Sequence, residues 1–444
     1  MPIESATIPQ QTVFMQDERP FALFQGRVIS RRQLWRDVSA LAERLPAKTH
    51  ALNLCQNRYL FCVCLLAAAS RGQICLLPSS AHQRVLYDIL KDYPDAYLVG
   101  EQMPEMAGVC RFEVGRPAAG GGGNIHAAEI DWARAGVVAF TSGSTGKPKP
   151  CPHSLLSLLT SARMALAALG LAASRRVMIS TTPPQHMYGL ETSVFWPLSS
   201  DLLLYDGRPF YPGDVQAALA AAPWPALLLT TPAHLRSLSK TRQAWTNLAG
   251  VLSATDTLPH ALAAAAKAAL GLEVWEIYGS TETLSFACRQ ALSARAWRLY
   301  PGCRLYRERN RGPVWLEARH LPEAAVLSDR LRLLDGERFA ALGRDVDMVK
   351  VAGKRASLSD LNRILCEIAG VDDGVFYSVD DGSTEPRLAA FVVSSLSAAE
   401  LRSALRARID DVFLPRKIQR VATIPRSATG KFTRQALEQL LQNW

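Results

Sequence analysis

An apolar run, Ala135-Gly-Val-Val-Ala139, feeds straight into Phe140-Thr-Ser-Gly-Ser-Thr-Gly-Lys-Pro-Lys149. The run reads as a buried strand. The residues after it cannot extend that strand, because two glycines, several hydroxyl side chains and two lysines follow at once. Glycine lets the backbone approach a ligand and turn its N–H groups inward. Ser and Thr add short donors, and lysine adds charge. Together they describe a strand ending in a loop that holds a polyphosphate. A Walker loop, G-x-x-x-x-G-K-[ST], is excluded twice: Thr141 stands at its first glycine, and Pro148 follows Lys147. A plain flexible Gly/Ser turn is the alternative.

The surrounding pattern sets the fold. Phe21–Ile29 reads as strand, turn and strand, and Ser30 then caps a helix with Leu34, Val38, Leu41 and Leu45 on one face. Strands near 51–55, 74–77 and 96–99 alternate with helices near 59–69 and 84–91. After the glycine loop come a helix at 154–169 and short strands at 177–181, 202–205, 226–230, 251–253 and 274–278. Such alternation predicts α/β layers around a largely parallel sheet. Residues 117–124, Pro-Ala-Ala-Gly-Gly-Gly-Gly-Asn, read as a flexible loop within the first domain. From about residue 343 the texture changes to a hairpin (347–355), helices at 360–369 and 398–409, and strands at 375–379 and 388–393, a compact α+β module.

With 444 residues and 48% hydrophobic content, more than one core is expected. The N-terminus is polar and unlike a secretory signal. The most apolar stretch, Leu60–Ala69, is far below the roughly 20 residues that span a bilayer, so no membrane span is expected. Nine cysteines without C-x-x-C spacing read as reduced core residues of a cytoplasmic protein. The formal net charge of +10 admits nucleic acid, an acidic protein or an anionic substrate. Trp297, Tyr300 and Tyr306, interleaved with arginines between Arg295 and Arg311, could mimic a nucleic-acid surface. No nucleic-acid motif accompanies them, so a solvated face or an acidic protein partner is expected instead.

Six segments, in order, resemble motifs of the adenylate-forming superfamily, which comprises acyl- and aryl-CoA synthetases, peptide-synthetase adenylation domains and acyl carrier protein ligases. Thr141-Ser142-Gly143-Ser144-Thr145-Gly146-Lys147-Pro148-Lys149 resembles the TSG[ST]TG-x-PKG phosphate loop, with Pro150 at its last glycine. Thr182–Leu190 resembles the segment lining the acid pocket. That resemblance places His186, Tyr188 and Gly189 beside the acid, with Glu191 as a nearby polar contact. Ala254, Thr255 and Asp256 fall in an SGGAPL-type loop bordering adenine, without its glycines. Tyr278-Gly279-Ser280-Thr281-Glu282 fits YG-x-TE: Tyr278 stacks on the purine, Gly279 lets the backbone come close, Thr281 donates to the α-phosphate and Glu282 holds Mg²⁺. Read without the family, the same stretch is a strand turning into a helix capped by Ser280 or Thr281. Asp329 matches the ribose-binding carboxylate. Arg344, in Gly343-Arg-Asp-Val-Asp347, matches the hinge arginine that contacts ribose or phosphate, with Val346 at the usual hinge position. Pro425–Arg434 matches P-x-[ST]-x-[ST]GK-x-x-R, which makes Lys431 the catalytic lysine.

The resemblance implies an N-terminal adenylation core at 1–342 and a small mobile C-terminal lid domain at 343–444. It implies ATP and Mg²⁺, a carboxylic acid activated as its acyl-adenylate, and transfer to a thiol. Gly353 and Lys354 would flank the thiol's pantetheine arm. The wording of PPQHMYG, EIYGSTET and VKVAGKR-x-SL is most similar to small bacterial ligases of aryl-polyene and xanthomonadin pathways. That wording implies a hydroxybenzoate-type acid and an acidic acyl carrier protein, with free CoA, or a non-catalytic nucleotide binder, as alternatives.

Overall fold

The computed structural model describes residues 18–115, 130–142, 148–241, 244–308, 312–344, 348–351, 354–379 and 387–426. Two sheets and the helices between them form a large unit. The first sheet runs Arg111–Glu113, Ala96–Gly100, His50–Asn53, Ile74–Leu77, Gly136–Ser142 and Pro148–Ser154. Its first five strands are parallel, and the last turns back antiparallel at the edge. The second sheet has eleven strands. Val274–Ser280, Leu248–Ser253, Ala226–Thr230, Val177–Ser180, Leu203–Tyr205 and Pro20–Phe24 form its parallel centre. Antiparallel strands extend both sides, Arg27–Ser30 on one and Leu284–Gln290, Trp297–Leu299, Arg338–Arg344 and Asp329–Leu333 on the other. The expected parallel sheet is thus the middle of a mixed one.

Helices Arg58–Ser70 and Leu155–Leu169 each touch strands of both sheets. That explains the apolar run at Leu60–Ala69: a helix covered on all sides can be apolar all round, and every residue from Arg58 to Ala69 is buried. Local chemistry starts these helices where the sequence suggests. Ser30 Oγ accepts the Gln33 N–H at 3.2 Å. Asn57 Oδ1 accepts from Tyr59 and Leu60, and Ser154 Oγ accepts from Ser157.

The small unit has its own core around Leu361, Leu365, Phe376, Leu401 and Leu405. It comprises the hairpin Met348–Val351/Lys354–Ser357, the sheet Val371–Val379, Arg387–Ser394 and Lys417–Arg420, and two helices. Ser397 and Glu400 form a capping box at the start of Ala398–Arg406. At the junction Gly343 has φ +97°, and a Cβ there would meet Ser357 Oγ at 2.9 Å, so glycine is required.

Among the described residues no helix is long and apolar enough to cross a membrane, and the nine cysteines are free thiols. Trp297 and Tyr300 are buried, with the Arg289 guanidinium over the Trp297 ring at 4.3 Å. Arg298 donates to the Ala168 carbonyl and Arg304 to Glu317. The Trp297 and Tyr300 rings therefore face the core, while Tyr306 is half-buried and stacked on Trp315. The glycine-rich stretch at 117–124 lies outside the described residues.

Candidate active site

The strands on either side of the glycine loop pair as a hairpin. Strand Gly136–Ser142 runs antiparallel to Pro148–Ser154, pairing Thr141 with Lys149 and Ser142 with Pro148. The returning strand has proline at 148, 150 and 152, and it is an edge strand, where missing N–H groups are tolerated. Lys149 is exposed. Gly143, Ser144, Thr145, Gly146 and Lys147, and the side chain of Ser142, lie outside the described residues.

A second turn joins Val274–Ser280 to the antiparallel strand Leu284–Gln290. The segment therefore opens a hairpin, not a helix. Gly279 is obligatory, since a Cβ would lie 2.0 Å from the Leu284 carbonyl oxygen. Ser280 and Thr283 lock the turn, each backbone N–H donating to the other's hydroxyl at 3.1 and 3.2 Å. Thr281 and Glu282 are left at the tip, half-buried and exposed. Among the described residues nothing hydrogen-bonds or ion-pairs the Glu282 carboxylate.

Two histidines hold this turn from behind. His153 Nε2 donates to the Thr281 carbonyl at 2.6 Å, and His320 Nε2 donates to the Thr283 carbonyl at 2.8 Å. A carbonyl only accepts, which places a proton on each Nε2. Burial depresses both imidazolium pKa values, that of His320 to about 4. His153 belongs to the strand returning from the glycine loop, so it stitches that hairpin to the Thr281–Glu282 tip. Sequence reasoning missed both histidines; the signal available was the Cys151-Pro-His153 sequence just after the loop.

Tyr278 and Asp329 come together: the Tyr278 hydroxyl donates to the Asp329 carboxylate. The Tyr278 ring is packed against Trp297, Phe339 and Phe286 at centroid distances of 4.8, 5.3 and 5.5 Å. It enters the site as part of an aromatic cluster and not as an isolated stacking plate. In the loop after Leu248–Ser253, Ala254 and Thr255 are half-buried and Asp256 is exposed. Thr255 has φ +80°, a strained conformation for a β-branched residue. The chain keeps the shape glycine would give there, without the glycine.

The segment 180–191 is anchored by a buried cation. Arg58 is fully buried and donates to the carbonyls of Thr182 at 2.7 Å and Gly207 at 2.6 Å. Burial lowers its pKa to about 9. Gln185 reaches the Cys55 carbonyl at 2.7 Å. Gly189 has no room for a side chain, a Cβ lying 2.2 Å from the Pro183 oxygen. His186 caps the short helix that follows and is half-buried. Tyr188 and Glu191 point inward. Tyr188 is 5% exposed and its hydroxyl donates to the Leu252 carbonyl at 2.8 Å. Glu191 is 3% exposed and accepts from Ser161 Oγ at 2.7 Å, Ser285 Oγ at 2.9 Å and the Ser285 N–H at 3.1 Å. Burial raises its pKa against these donors. Of the four residues expected around the acid, His186 alone presents a partly open side chain.

Lys354 pairs with Asp410, so it stands in the small unit as half of an ion pair. Gly353, Lys431 and the side chain of Arg344 lie outside the described residues. For Mg²⁺, no cluster of three His, Cys, Asp or Glu side chains occurs among the described residues. A single exposed carboxylate, Glu282, suits an ion that draws its other ligands from phosphates and water.

The AMP-binding enzyme model matches residues 9–306, and the AMP-binding enzyme C-terminal domain model matches 361–431. The chain is 31% identical over 280 residues to the 4-coumarate–CoA ligase of Rhodobacter capsulatus, covering 62% of this chain and 67% of that one. It is 25% identical over 346 residues to the 3-hydroxybenzoate–CoA/4-hydroxybenzoate–CoA ligase of Thauera aromatica, covering 68% and 66%. In fold it is similar to ATP-bound MatB from Rhodopseudomonas palustris, at a TM-score of 0.81 and 17% identity over 97% of this chain and 98% of that one. The chain belongs to the AMP-binding enzyme family.

Proposed function

We propose that this protein activates a hydroxybenzoate-type aromatic acid as its acyl-adenylate and passes the acyl group to the phosphopantetheine thiol of an acyl carrier protein. The coarse activity, ATP-dependent activation of an acid, comes with the family. The observation that supports the site assignment is the hydrogen bond from His153 to the Thr281 carbonyl, which joins the glycine-loop hairpin to the Thr281–Glu282 tip.

In the first step a carboxylate oxygen bonds the α-phosphorus of ATP, and pyrophosphate leaves with the electrons of the broken P–O bond. In the second the thiol gives its proton to solvent, its sulfur bonds the acyl carbon, and AMP leaves with the electrons of the broken C–O bond. Two anions must meet in the first step, so fixed positive potential is needed where charge builds. Residues 141–146 and Lys149 would supply it around the phosphates, with Thr281 as α-phosphate donor and Lys431 as a further cation. Glu282 would hold Mg²⁺, which lowers the repulsion between the two anions. Asp329 and Arg344 would take the ribose side. Tyr278, Gly279, Ser280 and the loop 254–256 would border the adenine. His186, with Gly189 giving close backbone approach, would border the acid, and Tyr188 and Glu191 would shape its wall from inside. Residues 343–444 would move between the two steps, bringing Gly353 and Lys354 to the thiol.

An aromatic acid is supported by the names of the two relatives above. Those same names favour a second reading of the acceptor, free CoA. A competition assay decides: with both thiols present, the protein loads holo-acyl carrier protein in preference to CoA, and loading falls with salt because the chain is basic and the carrier acidic. Preferential CoA thioester formation would replace the carrier protein with CoA and leave the first step intact.

A further inference from the structure

Arg426 is the last described residue before the segment that carries Lys431. Its guanidinium is taken by Asp373 of strand Val371–Val379. Nη2 lies 2.7 and 3.0 Å from the two carboxylate oxygens and Nε 3.2 Å from one of them. Two further contacts leave the small unit. Arg426 Nη1 is 3.7 Å from Asp256 Oδ2, in the loop after Leu248–Ser253. Asp373 Oδ1 is 3.3 Å from Arg236 Nη2, on helix Pro232–Ser239. The charges alternate as Asp256, Arg426, Asp373, Arg236, the outer two from the large unit and the inner two from the small one. Lys240 and Asp372 add a more exposed pair beside them at 3.0 Å.

Asp256, at 40% exposed, is the outlying charge; the other three of the chain are not ordinary surface ions. The side chains of Arg426, Asp373 and Arg236 are 12%, 14% and 18% exposed. At that burial the attraction is weakly screened, and removing one partner strands another. The forked Arg426–Asp373 pair has the geometry of a stiff, bidentate contact. The longer contacts to Asp256 and Arg236 are the ones that separate if the units part.

We propose that Arg426 is a positioning residue for acid activation. Paired with Asp373 and docked between Asp256 and Arg236, it fixes where the chain leading to Lys431 leaves the small unit, beside the loop at 253–258. The inference rests on the reading of Lys431 given above. Asp256 thereby acquires a second role, since the carboxylate that departs from the glycine-rich family loop is the large unit's hold on Arg426.

The test is Arg236→Gln, which touches none of the motif residues. Acid-dependent ATP–pyrophosphate exchange falls about fivefold, the scale of one lost ionic contact, with KM for ATP unchanged. Transfer from a supplied acyl-adenylate to thiol is not slowed. Amide protection of 232–239 and 371–379 drops, and Arg236→Lys restores most of the exchange. Equal slowing of both steps, or exchange at the wild-type rate, overturns the proposal. A wild-type protein without exchange on any acid contradicts the Lys431 reading instead. The docking is then judged on amide protection, and unchanged protection in Arg236→Gln overturns it independently.

Discussion

At 278–284 and at 183–191 the chain turns on a glycine that no larger residue could replace, because the Cβ sites at Gly279 and Gly189 are filled by carbonyl oxygens. The two turns use their side chains differently. Around Gly279 Ser280 and Thr283 lock the turn, His153 and His320 add support from outside the motif, and Thr281 and Glu282 stay at the tip. Around Gly189 the motif's own polar groups make the bonds: Tyr188 holds the Leu252 carbonyl, and Glu191 gathers Ser161 and Ser285. A motif letter can therefore leave its side chain open in one turn and bury it in packing in the other. Only the partners, far away in sequence, tell which.

The largest effect should separate the turns most sharply. Glu282→Ala is expected to cut acid-dependent exchange about 10²- to 10³-fold, as does loss of one strong transition-state group, with unfolding temperature unchanged. Lys431→Ala should cost about 10²-fold or more on the same scale. A Glu282 variant that loses stability instead would place that carboxylate with Glu191. In the other turn, Glu191→Ala should destabilise by about 3–4 kcal/mol, from three stranded donors and a cavity, as read by urea unfolding. Its folded fraction should exchange within a few-fold of wild type. A stable but inactive variant would return Glu191 to the acid.

The support behind the first turn has a pH signature. The pKa of His320 is lowered from 6.5 to about 4 by burial, so the unfolded chain binds the extra proton first as pH falls. Stability is full above about pH 6.5 and is lost down to about pH 4, by at most roughly 3 kcal/mol from this group. His320→Gln keeps a donor for the Thr283 carbonyl and should flatten that slope; an unchanged slope would mean another group carries it. The smallest effect belongs to the loop at 254–256. Thr255→Gly removes the strain at φ +80° but frees the unfolded chain, for a net gain of about 0.5 kcal/mol. A loss would show that the Thr255 side chain does more there than its strain costs.

Much of this was legible because it is local. The cap at Ser30, the alternation of strands and helices, and the glycine loop after a buried strand are all decided by residues within one or two turns of each other. The YG-x-TE segment was legible as a family motif but not as geometry. Whether a hairpin or a helix follows depends on pairing with Leu284–Gln290 and on the strained Leu284, whose φ is +54°. His153, His320 and Arg58 escaped notice because each acts on a carbonyl more than thirty residues away. Trp297 and Tyr300 misled because an aromatic among arginines reads alike whether its ring faces water or, as here, the core. The strand with three prolines was unreadable without knowing that it lies at a sheet edge.

The central claim is that the Thr281–Glu282 tip and the glycine loop act together on an acid and ATP. Its most direct test is acid-dependent ATP–pyrophosphate exchange by the purified protein across hydroxybenzoates, hydroxycinnamates, fatty acids and amino acids. The account predicts exchange with the hydroxybenzoates, lost in Glu282→Ala. No exchange with any acid, in folded protein that binds ATP, would contradict it.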